Sequence, residues 1–224
     1  RTYQQASGAA PNTDPDNRLL SCFPRRRLDA ESLRDSMLAV SGKLDRRVGG
    51  TIHSGNNLDY VGEVKYDSIR RSIYLPVVRG KLHPFFITFD FPDPGVTVGK
   101  RASTTVAPQA LFLMNSEFSS QQAEAWAKKL LSLPVNTDTE RFVQAFQQAY
   151  GRSPRPEEIT RAAGYLAATI DAEATRLKTA AAAGPAVAAQ TGPAANDPSA
   201  QARQIAWRGL CRALFSSNEF LFLE

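Results

Sequence analysis

The chain is poor in the residues on which cofactor sites and nucleophilic enzymes usually draw. Its 224 residues include two cysteines, two histidines and two methionines. Cys22 and Cys211 lie near opposite ends, so neither CxxC nor CxxCH exists, and c-type haem attachment inside this chain is excluded. His53 sits in a Gly-rich loop and His83 precedes a proline; neither has a second ligand at helical spacing, so no metal site is read. There is no phosphate-binding glycine loop and no nucleophile motif. No apolar run approaches the ~20 residues that cross a bilayer, and no signal peptide is visible. Arg1 is not a natural start, so the chain reads as a fragment or processed product, whose missing signal says nothing about where the parent lives.

What is present is an ordinary globular composition, 42% hydrophobic, with room for one sizeable core. The net charge of +5 raises the question of nucleic acid. Its concentrations, Arg25-Arg26-Arg27, Arg46-Arg47, Arg70-Arg71 and Lys100-Arg101, are scattered and mostly lie near Asp29, Glu31, Asp45 or Asp67. A solvated or ion-paired surface is therefore expected, and no nucleic-acid partner. A disulfide between Cys22 and Cys211 stays open, but Cys211 falls on an apolar helical face and is better read as a buried thiol.

Residues 1–20 are polar and read as an extended N-terminal arm; residues 21–224 read as a single α-rich domain. A helix starts at Asp29, with Leu28 and Leu33 as a staple and Leu33, Met37, Val40 and Leu44 as its stripe; Gly42 can end it. Alternation between Leu58 and Val78 predicts a small hairpin with Pro76 on an edge strand, and Phe85–Phe91 is an aromatic cluster around one helical turn. A helix from Pro108 toward Leu131 should break near Asn115-Ser116. Thr137 with Glu140 forms a capping box, Gly151 closes that helix, and Pro156 opens the next with the stripe Ile159, Ala163, Leu166 and Ile170. Residues 180–200, mostly Ala, Gly and Pro, read as a flexible insertion. The last helix presents Trp207, Leu210, Cys211, Leu214 and Phe215 on one face. Two helix ends echo each other, Ala110-Leu111-Phe112 before Asn115 and Phe118, and Ala213-Leu214-Phe215 before Asn218 and Phe220. Each reads as a stop at a left-handed Asn followed by a Phe tucked into the core.

The densest information lies in three central segments: Arg70–Val77, Phe89–Pro94 and Thr104–Ser116. Rigid prolines among paired aromatics, aspartates and arginines imply a fixed backbone holding polar groups, and the three segments are expected to meet. Asp90 and Asp93 flank Phe91-Pro92. They suit a rigid turn better than a calcium site, which needs more oxygen ligands. One or two of Arg70, Arg71, Arg79 and Arg101 are expected to reach them as a bidentate pair. Arg71, Tyr74, Asp90, Asp93, Arg101 and Gln109 are the candidate ligand-binding residues, with a polar molecule such as a glycan as the ligand class; no catalytic residue is assigned. Thr105 or a neighbour is read as a helix cap, and Met37 and Met114 as core residues rather than axial haem ligands.

The pattern Phe23-Pro24-Arg25-Arg26-Arg27-Leu28-Asp29-Ala30-Glu31, Arg34-Asp35 and Val40-Ser41-Gly42 resembles the C-terminal planctomycete domain of unknown function, of the PSD-one type. Arg71–Val77, Phe89–Pro94, Thr104-Thr105 with Gln109–Phe112, and Asn218-Glu219-Phe220 extend the resemblance from about Arg18 onward. It implies a module that follows a partner domain of unknown function, and often a planctomycete-type cytochrome c domain, in a large exported protein of the periplasm or cell envelope. Haem c would belong to another domain of that parent, and the N-terminal domains of the parent would be the partners. The expected fold is mainly α, a helical domain with a small irregular or β-hairpin centre. The expected function is a non-catalytic binding or scaffold module; the alternative is part of a composite oxidoreductase acting on a polar substrate such as a glycan.

Overall fold

The computed structural model describes residues 18, 26–49, 68–77, 79–182 and 197–223, with backbone only at 180–182. The expected N-terminal arm, the 58–67 half of the predicted hairpin, His53, Cys22 and most of the 180–200 insertion lie outside these residues. The described helices are α1 (Ala30–Ser41), α2 (Pro84–Thr88), α3 (Ala107–Asn115), α4 (Glu117–Leu131), α5 (Asp138–Tyr150), α6 (Pro156–Ala182), α7 (Pro198–Phe215) and α8 (Asn218–Leu221). None is long and apolar enough to cross a membrane.

Local chemistry sets most of these boundaries. Asp29 caps α1 by accepting the Ser32 N–H at 2.8 Å, and Gly42 ends it at φ 78°, a left-handed conformation that favours glycine. Thr137 and Glu140 form the expected box on α5, which Gly151 closes at φ 70°. His83 caps α2, its Nδ1 accepting the Phe85 N–H at 3.0 Å. Ser116 both ends α3 and caps α4, and Ser217 likewise caps α8. The two echoed motifs therefore stop at a serine cap between consecutive helices, not at a left-handed Asn. Their following phenylalanines do pack inward, Phe220 buried and Phe118 half-buried against the core.

The core lies where α4 meets α1 on one side and α7 on the other, with α6 packed along α7. Trp126, Trp207, Phe215 and Cys211 are fully enclosed, and the Trp126 and Phe215 rings lie 4.9 Å apart. Truncating either Trp126 or Phe215 would cost about 3–5 kcal/mol. Cys211 is a buried free thiol whose pKa burial pushes upward. On α6 the buried small residue is Ala162; Ala163, expected in the stripe, faces solvent.

One expectation fails in the centre. Ser72–Tyr74 is a 3-10 turn rather than a strand, because Tyr74 and Leu75 N–H groups close back onto Arg71 and Ser72 carbonyls. Among the described residues the sheet is β1 (Arg26–Arg27) paired antiparallel with β2 (Phe222–Leu223), two segments far apart in the chain. The Leu28 N–H extends this clasp to the Leu221 carbonyl at 2.8 Å.

Candidate functional site

The Phe85–Phe91 cluster ends α2 in an unusual way. The Phe91 N–H returns to the Phe86 carbonyl at 3.0 Å, and the two rings stack 4.9 Å apart with 13° between planes. This is a helix stop that calls for a left-handed residue between them, normally glycine. Here it is Asp90, at φ 60°. A β-carbon in that conformation costs roughly 1–2 kcal/mol, so the carboxylate must contribute something glycine cannot.

Its contribution is a four-donor knot. Asp90 Oδ2 accepts from Arg27 Nη2 at 2.7 Å and from the Thr104 N–H at 2.7 Å. Thr104 Oγ1 donates at 2.9 Å to Oδ1, and Gln109 Nε2 lies 3.5 Å from Oδ2. Arg27 also donates to the Phe89 carbonyl at 3.2 Å and to the Thr104 carbonyl. Gln109, on the inner face of α3, donates to the Thr88 carbonyl at 3.1 Å. β1, the end of α2 and the approach to α3 are thereby locked together. The Arg27 side chain is 4% exposed and that of Asp90 16%. Burial opposes the charge on Asp90, but the Thr104 donors and the Arg27 guanidinium outweigh it and hold the carboxyl below the usual carboxylate range.

The guanidinium on Asp90 is thus Arg27, not Arg70, Arg71, Arg79 or Arg101. Arg101 instead places Nη1 2.9 Å from both Glu31 oxygens and covers the Phe91 ring at 5.5 Å. Arg71 is exposed, 3.7 Å from Asp35. Tyr74 accepts the Gly49 N–H at 3.0 Å, under the Arg70 guanidinium at 4.2 Å. Asp93 is exposed and accepts the Gly95 N–H at 2.7 Å, a local turn. Asp90 and Gln109 come together; Arg101 and Asp93 lie in the surrounding loop, and Arg71 and Tyr74 belong elsewhere. Thr105 is no cap; Gln109 Oε1 reaches back to the Val106 N–H at 3.4 Å instead. The second and third segments meet, as expected.

The first segment is bonded to α1. Ser72 donates both its N–H and hydroxyl to Asp35 at 2.7 Å. Arg34 reaches the Arg70 carbonyl at 3.0 Å, Ser72 Oγ at 3.2 Å and the Ser68 carbonyl. Burial lowers the Arg34 pKa to about 10 despite the neighbouring Asp35 carboxylate. Sequence reasoning passed over Arg34, yet a signal existed: it interrupts the α1 stripe Ala30, Leu33, Met37, Leu38 with a charge. Arg27 had no such signal, since its partner is 63 residues away.

A second knot joins the turn after α5 to α6 and α8. Arg152 donates to Glu158 at 2.8 and 2.9 Å and to Glu219 at 2.7 Å through Nη2, with Nε completing the pair. Nη1 also donates to the Ser153 carbonyl at 3.1 Å. Hydrogen bonding to Arg152 pulls the Glu158 pKa down to about 2, and burial pushes Tyr150 up to about 12. Beside it, a cleft of about 500 Å³ is lined by Leu28, Ser36, Val40, Gln148, Tyr150 and Phe220 among others. None of the six candidate residues reaches this cleft.

The model of the PSD1 proteins, described as proteins of unknown function (DUF1553), matches residues 1–166. The chain belongs to the PSD1 family. The match takes in the Asp90 and Arg34 clusters and stops before α7 and the Asn218-Glu219-Phe220 end. No curated protein and no solved structure matches this PSD1 chain.

Proposed function

We propose that this PSD1 chain is a non-catalytic binding or scaffold module, the C-terminal part of a larger exported protein of the periplasm or cell envelope. It works beside a cytochrome-bearing region, and its partners are the N-terminal domains of the same parent. Haem c belongs to those domains and not to this one.

The observation that carries the reading is that Asp90 is held by this chain's own donors. A general acid or base, or a metal ligand, needs an oxygen free to exchange a proton or take an ion. Asp90 Oδ2 takes Arg27, the Thr104 N–H and Gln109, and Oδ1 takes the Thr104 hydroxyl, all from this chain. The left-handed turn at Asp90 therefore supports a fixed shape. Arg101 is likewise held by Glu31, leaving few groups around this turn to act on a substrate.

The test is expression of residues 1–224 in a strain competent for cytochrome maturation, followed by a visible spectrum and a binding assay against the separately prepared N-terminal domains. A colourless, folded protein that binds those domains is the expected result. A Soret band of protein-stoichiometric intensity, or turnover by this chain alone, would refute the proposal. Turnover that requires both parts would favour the composite oxidoreductase.

A further inference from the structure

We infer that α6 and α7 together form a phosphate-binding site, built from the Tyr165 hydroxyl and the guanidinium groups of Arg208 and Arg212. The site lies apart from the Asp90 and Arg152 knots and is independent of the scaffold reading. α6 packs along α7, and at one point the approach is very close. The Tyr165 hydroxyl lies 2.2 Å from where a β-carbon would stand on Gly209. Gly209 is in the interior of α7, where glycine is the least favourable residue after proline. Any side chain there would displace the tyrosine ring, so the glycine is what lets the hydroxyl rest on α7. Tyr165 is 42% exposed, and its hydroxyl has no hydrogen-bond partner among the described residues.

The charge beside that hydroxyl is of one sign. From Pro198 to Ser217 the chain has three arginines and no acid. Arg203 is paired with Asp138. The guanidinium groups of Arg208, half-buried, and Arg212, exposed, have no partner among the described residues. These two stand at i, i+4, neighbours on one helix face, where like charges oppose each other. Gly209 follows the first and precedes the second by one turn, so the Tyr165 hydroxyl meets α7 beside both. Arg161, one turn before Tyr165 on α6, adds a third cation, its Nε reaching the Glu157 carbonyl at 3.4 Å. A phosphate group between Arg208 and Arg212 would relieve their repulsion, engage both guanidinium forks and accept the tyrosine O–H. A carboxylate, with two oxygens and one charge, would leave part of that donor set unmatched. Two arginines that only shared a solvated face would require neither the glycine nor the unpartnered hydroxyl. A free phosphate ion and a phosphate ester present the same group to these donors.

The test is a titration of the chain with inorganic phosphate from about 0.1 to about 50 mM, the range proper to solvent-exposed ion pairs, at constant ionic strength. Binding is followed through the arginine Nε–H resonances, and those of Arg208 and Arg212 should shift and saturate together. Tyr165→Phe deletes an unbonded hydroxyl, so the fold should persist while phosphate binding weakens roughly 3–5-fold. Gly209→Ala should weaken binding similarly by turning the ring away with every charge kept. Arg208→Gln combined with Arg212→Gln should abolish saturation. Tighter binding of glycerol 1-phosphate than of inorganic phosphate would identify the ligand as an ester on a larger molecule, and the reverse order would identify it as the free ion. Shifts that never saturate, that saturate equally well with acetate, or that are unchanged by Tyr165→Phe would each overturn the inference.

Discussion

Arg27 and Arg152 do the same job under different degrees of burial. Each ties together segments more than 60 residues apart, Arg27 to Asp90 and Arg152 to Glu219. The Arg27 side chain is 4% exposed, that of Arg152 32%. Arg152 has the fuller set of charged partners, two carboxylates against one. Burial nevertheless makes Arg27 the more consequential, because a charge left alone away from water cannot be rehydrated, whereas one at the surface can. Bond count is thus a poor guide to which knot matters.

Removing each arginine would break that comparison most directly. Arg27→Met leaves Asp90 largely enclosed and without its cation, and should cost about 3–5 kcal/mol in denaturant unfolding. Arg152→Leu frees Glu158 and Glu219 to water, and should cost about 1–2 kcal/mol despite losing more hydrogen bonds. Equal losses would show that burial does not separate the two knots.

The Asp90 backbone can be separated from its carboxylate. Asp90→Ala removes the carboxylate and keeps a β-carbon at φ 60°; Asp90→Gly removes both. The glycine variant should be the more stable of the two by about 1 kcal/mol, and both should fall below the parent. A glycine variant as stable as the parent would mean that the carboxylate offsets only its own strain, which would also remove the support for a fixed scaffold at this turn.

The same contrast governs what was legible in the sequence. Helix starts and stops were, because Asp29, Gly42, Thr137, Glu140 and Gly151 act on neighbours within a few residues. The rigidity of Phe89–Pro94 was legible too, but the identity of the guanidinium on Asp90 was not. Arg27 arrives through the clasp with Phe222–Leu223, a pairing between segments far apart in the chain that no local pattern encodes. Met114, which is 53% exposed, reads as a core residue because no charge on its helix marks an outer face, so periodicity alone does not tell the inner face from the outer. Ser72–Tyr74 alternates like a strand yet turns, since Arg34 and Asp35 gather its polar groups onto α1.

Acid should expose the gentlest difference between the knots. Glu158 is held at about 2 by Arg152, below its ordinary value of 4.5. A carboxylate with a depressed folded pKa binds fewer protons in the folded state, so its contribution is complete above the unfolded value. It is then lost as pH falls from about 4.5 toward 2. The site is partly solvated, and screening keeps the change to about 1 kcal/mol or less. Arg152→Leu removes the hydrogen bonds that depress Glu158, so the variant should lose less stability than the parent over that window. Arg27→Met should keep the Glu158 component of the slope, because the Arg27 side chain bonds Asp90, Phe89 and Thr104 and not Glu158 or Glu219. Thermal midpoints of the parent and both variants between pH 6 and pH 2.5 make the measurement. Parallel curves for the parent and Arg152→Leu would place the acid sensitivity elsewhere.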